Sequence, residues 1–202
     1  SATHFYCKDH QIIESYEESY HDPMLQVVCE ALIPSNPSSA EKHAKECEKL
    51  IKEFLASHPS LDLETLSKAL NYAHNRIIKK RYEYPIYLSA VVFVHKLPTS
   101  DDDKGEVLLA KVGDIQVFEC LHDSYKPLFD SSHNEKSRKT PLSLQERFHY
   151  LVNPIGGESL PQITPYKAEY KGHKTKNTTV KNCTVFQMRR GICTGLSTSG
   201  DK

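Results

Sequence analysis

The chain has 202 residues, with 26 Lys and Arg balanced by 26 Asp and Glu, 11 His and six Cys. That length predicts a single domain over residues 1–202, and an apolar content of 38% is enough to fill a core, which excludes a disordered chain. No apolar run approaches the roughly 20 residues that span a bilayer, no basic-then-apolar leader opens the sequence, and zero net charge excludes the basic excess of a generic nucleic-acid binder.

Three helices are predicted first. Asp22-Pro23 is a cap followed by a proline suited to a first turn. Met24, Val27, Val28, Ala31 and Leu32 then recur at helical spacing until Pro34. Ser35 to Ser39 is a short linker, and Ser39 can cap a second helix with the stripe Ala44, Cys47, Leu50, Ile51, Phe54 and Leu55. His58-Pro59 ends it, because the residue before a proline avoids the α region. Asp62 caps a third helix with Leu63, Leu66, Leu70, Ala73 and Ile77 on one face. Lys79, Lys80 and Arg81 in its last turn complement the helix dipole.

After Pro85 the pattern turns to β. Ile86 to Leu97 is a nearly continuous apolar run rich in β-branched and aromatic residues, the pattern of a strand buried on both faces. Asp101-Asp102-Asp103-Lys104-Gly105 reads as a solvated hairpin tip, with Gly105 in the turn. Val107–Val112 and Ile115–Leu121 follow as strands, broken at Gly113-Asp114. Residues 123–142 are polar and irregular, Leu144–Val152 fits a short helix, and Val180–Met188 alternates as a strand. Residues 166–190 carry seven Lys and Arg against Glu169, a local excess of +6. Helices followed by antiparallel strands make an α+β layer arrangement.

The cysteines stand at 7, 29, 47, 120, 183 and 193, with no C-x₂₋₄-C spacing that would suggest a zinc finger. They read as reduced core thiols, which points to a cytoplasmic setting. Asn177-Thr178-Thr179 and Asn182-Cys183-Thr184 match the glycosylation sequon and read as inert there. His74 and His95 lie within regular elements and read as packing or surface residues. A cysteine-nucleophile reading has Cys193 after a strand with His149 and His173 available, but no spacing places either base beside the thiol.

The order of local signatures carries a resemblance. The strand S-A-V-V-F-V-H-K-L begins at Ser89. V-L-L-A-K-V-G-D-I-Q-V-F-E begins at Val107, Glu146-Arg147-Phe148 and Ile155-Gly156-Gly157-Glu158 follow, and Gly195 to Asp201 closes the series. Over about Ile51 to Asp201 this resembles the type 2C, metal-dependent family of serine/threonine protein phosphatases. That family carries an S-T-A-V-V strand, an A-N-V-G-D-S-R hairpin, an E-x-x-R-I…G-G segment and an R-x-x-G-D segment in the same order. The resemblance implies an antiparallel β-sandwich flanked by helices, Mg²⁺ or Mn²⁺ as cofactor, and a phosphorylated or otherwise modified protein as substrate and partner.

Residue by residue, the resemblance takes Asp114 toward the metal centre. Without it, Gly113 permits a tight positive-φ connection, and Asp114 either reaches a hard cation or caps turn amides. Asp9, in Asp9-His10, lies near where the family's D-G-H-G-G segment is expected and is a second candidate ligand. Lys174, Lys176, Arg189 and Arg190 would attract an anionic substrate. The departures are specific. The chain has no Asp-Gly pair, Gly195 stands near the family's arginine, Tyr87-Leu88-Ser89-Ala90 replaces a G-S-T-A run, and the sequence stops at Asp201-Lys202 ahead of a second acidic strand. Three readings follow: a partial copy of a protein phosphatase, a divergent pseudophosphatase that acts by binding proteins, or an effector-type hydrolase that removes nucleotidyl groups from proteins on the same scaffold.

Overall fold

The structure, a computed structural model, describes residues 2–8, 11–18, 24–96, 104–113, 115–121, 124–128, 153–171, 182–187 and 192–197. In chain order the elements are β1 (Ala2–Lys8), β2 (Gln11–Glu18), β3 (Met24–Leu32), a 3₁₀ turn at Pro37–Ser39, α1 (Ala40–Ala56), α2 (Leu63–Lys79), β4 (Tyr87–Lys96), β5 (Lys104–Val112), β6 (Gln116–Leu121), β7 (Ser124–Pro127), β8 (Thr164–Lys171), β9 (Asn182–Gln187) and β10 (Ile192–Ser197). The described strands form a six-stranded sheet, β2-β1-β10-β9-β6-β7, and a four-stranded sheet, β3-β4-β5-β8. Every strand pairing in both is antiparallel. With the two helices on the four-stranded sheet, this is the helix-flanked antiparallel β-sandwich expected from the sequence.

The two helices form where the periodicity places them. Asp62 adopts extended backbone and its Oδ1 accepts the Thr65 N–H at 2.7 Å, which satisfies one orphan donor of α2. Ser39 precedes α1 but does not cap it with its side chain; its Oγ donates to the Asn36 carbonyl at 2.7 Å. The stripes Cys47, Ile51 and Leu55 of α1 and Leu66, Leu70 and Ala73 of α2 pack with Val27, Cys29, Leu88, Ala90, Val92, Val94, Leu108, Ala110 and Val112 in one apolar cluster.

The expected first helix is instead strand β3. Met24–Leu32 pairs with β4 along its whole length, from Met24 opposite His95 to Leu32 opposite Tyr87. The physical reason is burial on both faces. Val27 and Cys29 face the helices while Gln26 and Val28 face the other way, and all four are at most 1% exposed. A strand buried on both faces loses its alternation, and its apolar positions then fit a helical repeat as well. Other differences are smaller. Gly105 lies within β5 rather than in a turn, and Cys193 lies within β10 rather than after a strand. Strands β1, β2, β8 and β10 carry no strand signal in the sequence, and β7 occupies the start of the stretch expected to be irregular. The Asp101–Asp103 tip and the Leu144–Val152 helix lie outside the described residues.

The turn after Asn153 is held against the start of β4. Leu88 and Ile155 exchange two backbone hydrogen bonds, at 2.9 and 3.0 Å. Gly156 has φ +87°, and a Cβ there would lie 2.5 Å from the Ile86 carbonyl oxygen. Its N–H donates to Nδ1 of His74 at 3.0 Å. That bond requires a neutral imidazole, and burial alone holds the His74 pKa below the usual histidine range. His74 is therefore a core group with a defined job in docking the turn.

Candidate functional site

Register and alternation define the second face of the four-stranded sheet, the one turned away from the helices. Gln26, Val28 and Glu30 of β3, Ser89, Val91, Phe93 and His95 of β4, and Leu109 and Lys111 of β5 share it. It is buried, with Val28, Val91, Phe93 and Leu109 at most 1% exposed. It is also polar at intervals, because Gln26, Glu30, Ser89 and His95 are buried beside those apolar residues. A buried face of this composition is retained only where its polar groups have partners.

One end of this face concentrates the chemistry. Glu30 stands opposite Ser89, and Ser89 sits under Gly113, where a Cβ would come within 2.2 Å of the Ser89 Oγ. Gly113 has φ +85°, as its place at the strand connection predicts. The row Glu30, Ser89, Gly113 thus crosses three strands at the point where β5 ends, and the next residue in the chain is Asp114. The sequence hides Glu30, because the apolar repeat over Met24–Leu32 fits a helix, on whose polar face a glutamate is unremarkable. The signal available was a lone carboxylate within the apolar run Val27 to Leu32.

Asp114 and Asp9 lie outside the described residues, as do Lys174, Lys176, Arg189 and Arg190. In chain order, Asp9 falls between β1 and β2, whereas the strand that leads directly into the helical pair is β3. Glu30 offers the hard oxygen donors that Mg²⁺ and Mn²⁺ take. It is the one carboxylate that the described strands place on this face, fewer than a pair of ions needs. Among the described residues, no three His, Cys, Asp or Glu side chains gather to hold a metal. The described residues thus fit such an ion in donor type but not in number.

The two cysteines whose side chains are described are reduced and buried. Cys29 and Cys47 are at most 1% exposed and lie across the β3–α1 contact. Burial, and then the hydrogen bond to Cys47, pushes the Cys29 thiol well above its ordinary pKa, so it is a poor nucleophile. No helix among the described residues is long and apolar enough to cross a membrane.

No protein-family model and no curated protein sequence matches the chain. Solved structures do. The chain superposes on the PPM Ser-Thr phosphatase MsPP from Mycobacterium smegmatis, solved with cacodylate, with a TM-score of 0.54 and 14% identity over 92% of this chain and 76% of that one. The catalytic domain of the serine/threonine protein phosphatase PstP, solved with two manganese ions, gives a TM-score of 0.52 at 12% identity over 92% and 77%. A Stage II Sporulation E family protein from Thermanaerovibrio acidaminovorans gives 0.53 at 16% over 86% and 78%. At these identities the likeness is one of fold: the chain has the architecture of PPM-type phosphatases.

Proposed function

We propose that this chain is a phosphatase 2C-like domain that hydrolyses phosphoryl groups on protein substrates with the aid of Mg²⁺ or Mn²⁺. The observation that carries the reading is the row Glu30, Ser89, Gly113 at one end of the inter-sheet face of a PPM-type fold. Glu30 supplies one oxygen donor, Asp114 after the fixed turn at Gly113 supplies a second, and Asp9 is a third candidate. When bound, a divalent ion supplies an activated water and neutralises charge on the phosphate. The basic residues Lys174, Lys176, Arg189 and Arg190 attract the anionic substrate. The reduced thiols Cys29 and Cys47 suit a cytoplasmic setting.

The test is Mn²⁺-dependent hydrolysis of p-nitrophenyl phosphate by the whole chain and by Glu30→Gln and Asp114→Ala. Metal-dependent turnover that both variants abolish supports the reading. No turnover at any metal concentration, with no Mn²⁺ uptake by calorimetry, overturns it. A second reading is then favoured by the single carboxylate on the described face: a pseudophosphatase that binds phosphorylated protein without cleaving it.

A further inference from the structure

Helix α2 stops at Lys79, and Arg81 turns the chain through a left-handed conformation with φ 47°. The segment that follows runs past the Gly156 turn into β4 and leaves a groove of about 540 Å³. Tyr82, Tyr84 and Tyr87 line it, and the exposed side chains of Arg81, Glu83 and Glu158 border it.

Two of the tyrosines are fixed from behind by α1. Tyr82 donates to Glu46 Oε2 at 2.6 Å, and the Tyr84 hydroxyl lies 3.0 Å from His43 Nε2. The buried His43 ring meets both edge-on, with centroids 4.7 and 5.8 Å away. Lys80 pairs with the same Glu46 carboxylate and compensates its charge. The two phenol rings lie within 24° of parallel with centroids 6.3 Å apart. Their faces are therefore set before any ligand arrives, which lowers the ordering cost of binding.

The border is charged in a definite sense. Glu83 and Glu158 form no ion pair among the described residues, and Arg81 forms none either. Two carboxylates against one guanidinium leave a negative excess, and fixed aromatic faces attract cations. An anion would meet one favourable charge and two opposed ones. The groove is also larger than one basic side chain fills, so neighbouring residues of a chain enter with it.

We propose that this groove binds an extended peptide segment of a partner protein through an Arg or Lys side chain laid against the tyrosines and paired with Glu83 and Glu158. The site requires no metal and no turnover, so it stands or falls independently of the hydrolase reading.

Fluorescence anisotropy of the whole chain with fluorescein-labelled Gly-Arg-Leu-Arg-Gly, and with its Glu and Gln counterparts, tests this. Saturable binding of the Arg peptide, weaker binding of the Gln peptide and none of the Glu peptide are expected. Glu83→Gln combined with Glu158→Gln lowers affinity for the Arg peptide about tenfold, while the thermal unfolding midpoint is unchanged, since both residues are exposed. Unaltered affinity in the double variant overturns the proposal, as does failure to saturate by about 1 mM peptide. Preference for the Glu peptide overturns it in favour of an anion site at Arg81. Self-association by sedimentation that the double variant abolishes overturns it in favour of a second copy as the occupant.

Discussion

Substituting Gly113 by Ala tests the geometry of the Glu30–Ser89–Gly113 row. At φ +85° an L-residue is in the left-handed region, which costs about 1–2 kcal/mol. The new Cβ also lies 2.2 Å from the Ser89 Oγ, 2.7 Å from its Cβ and 3.0 Å from its Cα. The hydroxyl can rotate away, but the Cβ and Cα belong to a buried central strand and cannot, which adds about 1–3 kcal/mol of overpacking. Urea unfolding should therefore find Gly113→Ala destabilised by about 2–5 kcal/mol. Ser89→Gly removes the two nearest atoms, so the double variant should recover about 1–2 kcal/mol relative to the sum of the single variants, leaving the backbone cost in place. A loss below about 1 kcal/mol in Gly113→Ala, or strict additivity of the two changes, would refute the close approach of β5 to β4 at this point.

Three further outcomes are expected. The folded-state pKa of His74 is lowered by burial, so the unfolded chain binds the extra proton first; stability should be full above the unfolded value of about 6.5 and fall as the pH drops through it, and His74→Gln should flatten the urea midpoint against pH relative to the parent. His43, lowered by burial and then by Lys42 and Lys80, adds to the slope in the same direction and persists in that variant. Tyr82→Phe removes a hydrogen bond to the Glu46 carboxylate and should cost about 1–2 kcal/mol by thermal unfolding, an unchanged midpoint contradicting the network behind the groove. Iodoacetamide should label Cys29 and Cys47 in urea but not in the native protein, and native labelling would contradict their burial.

The parts of this fold that could be read in the sequence are those with a single periodicity. Helices α1 and α2 each carry an apolar stripe against a charged face, and β4 is a nearly continuous apolar run rich in valine and aromatic residues. Strand β3 is different. Its central residues, Gln26 to Glu30, are buried on both sides, so the period of two is lost, the apolar positions fit a helical repeat instead, and Glu30 falls on the polar face of that repeat. Strand β8 escaped for the opposite reason. Its residues Lys167 and Glu169 pair with Glu106 and Lys104 of β5 on an exposed edge, so its composition is that of a polar loop. The Gly113 turn was legible because positive φ is a local property of the chain. The meeting of Glu30 with Ser89 was not, because register is set by residues far apart in sequence. The aromatic network behind the groove was hidden for the same reason: Tyr82 and Tyr84 find Glu46 and His43 across the helical layer.

The pairing of β5 with β8 has a consequence during synthesis. Lys111 meets Thr164 and Lys104 meets Lys171, so the outer edge of β5 cannot be covered until the chain has extended past residue 164. Until then the strand Lys104–Val112, with Val107, Leu108, Leu109 and Ala110 in succession, presents open backbone groups beside apolar side chains. An uncapped apolar edge is a template for intermolecular pairing. Closing so distant a contact is also slow relative to the α1–α2 and β4–β5 hairpins, whose partners are adjacent in the chain. A nascent or truncated chain ending before Thr164 therefore keeps its helices and its β4–β5 hairpin but exposes a surface that aggregates. Lys167 and Glu169 of β8 turn that surface into a solvated boundary when they dock.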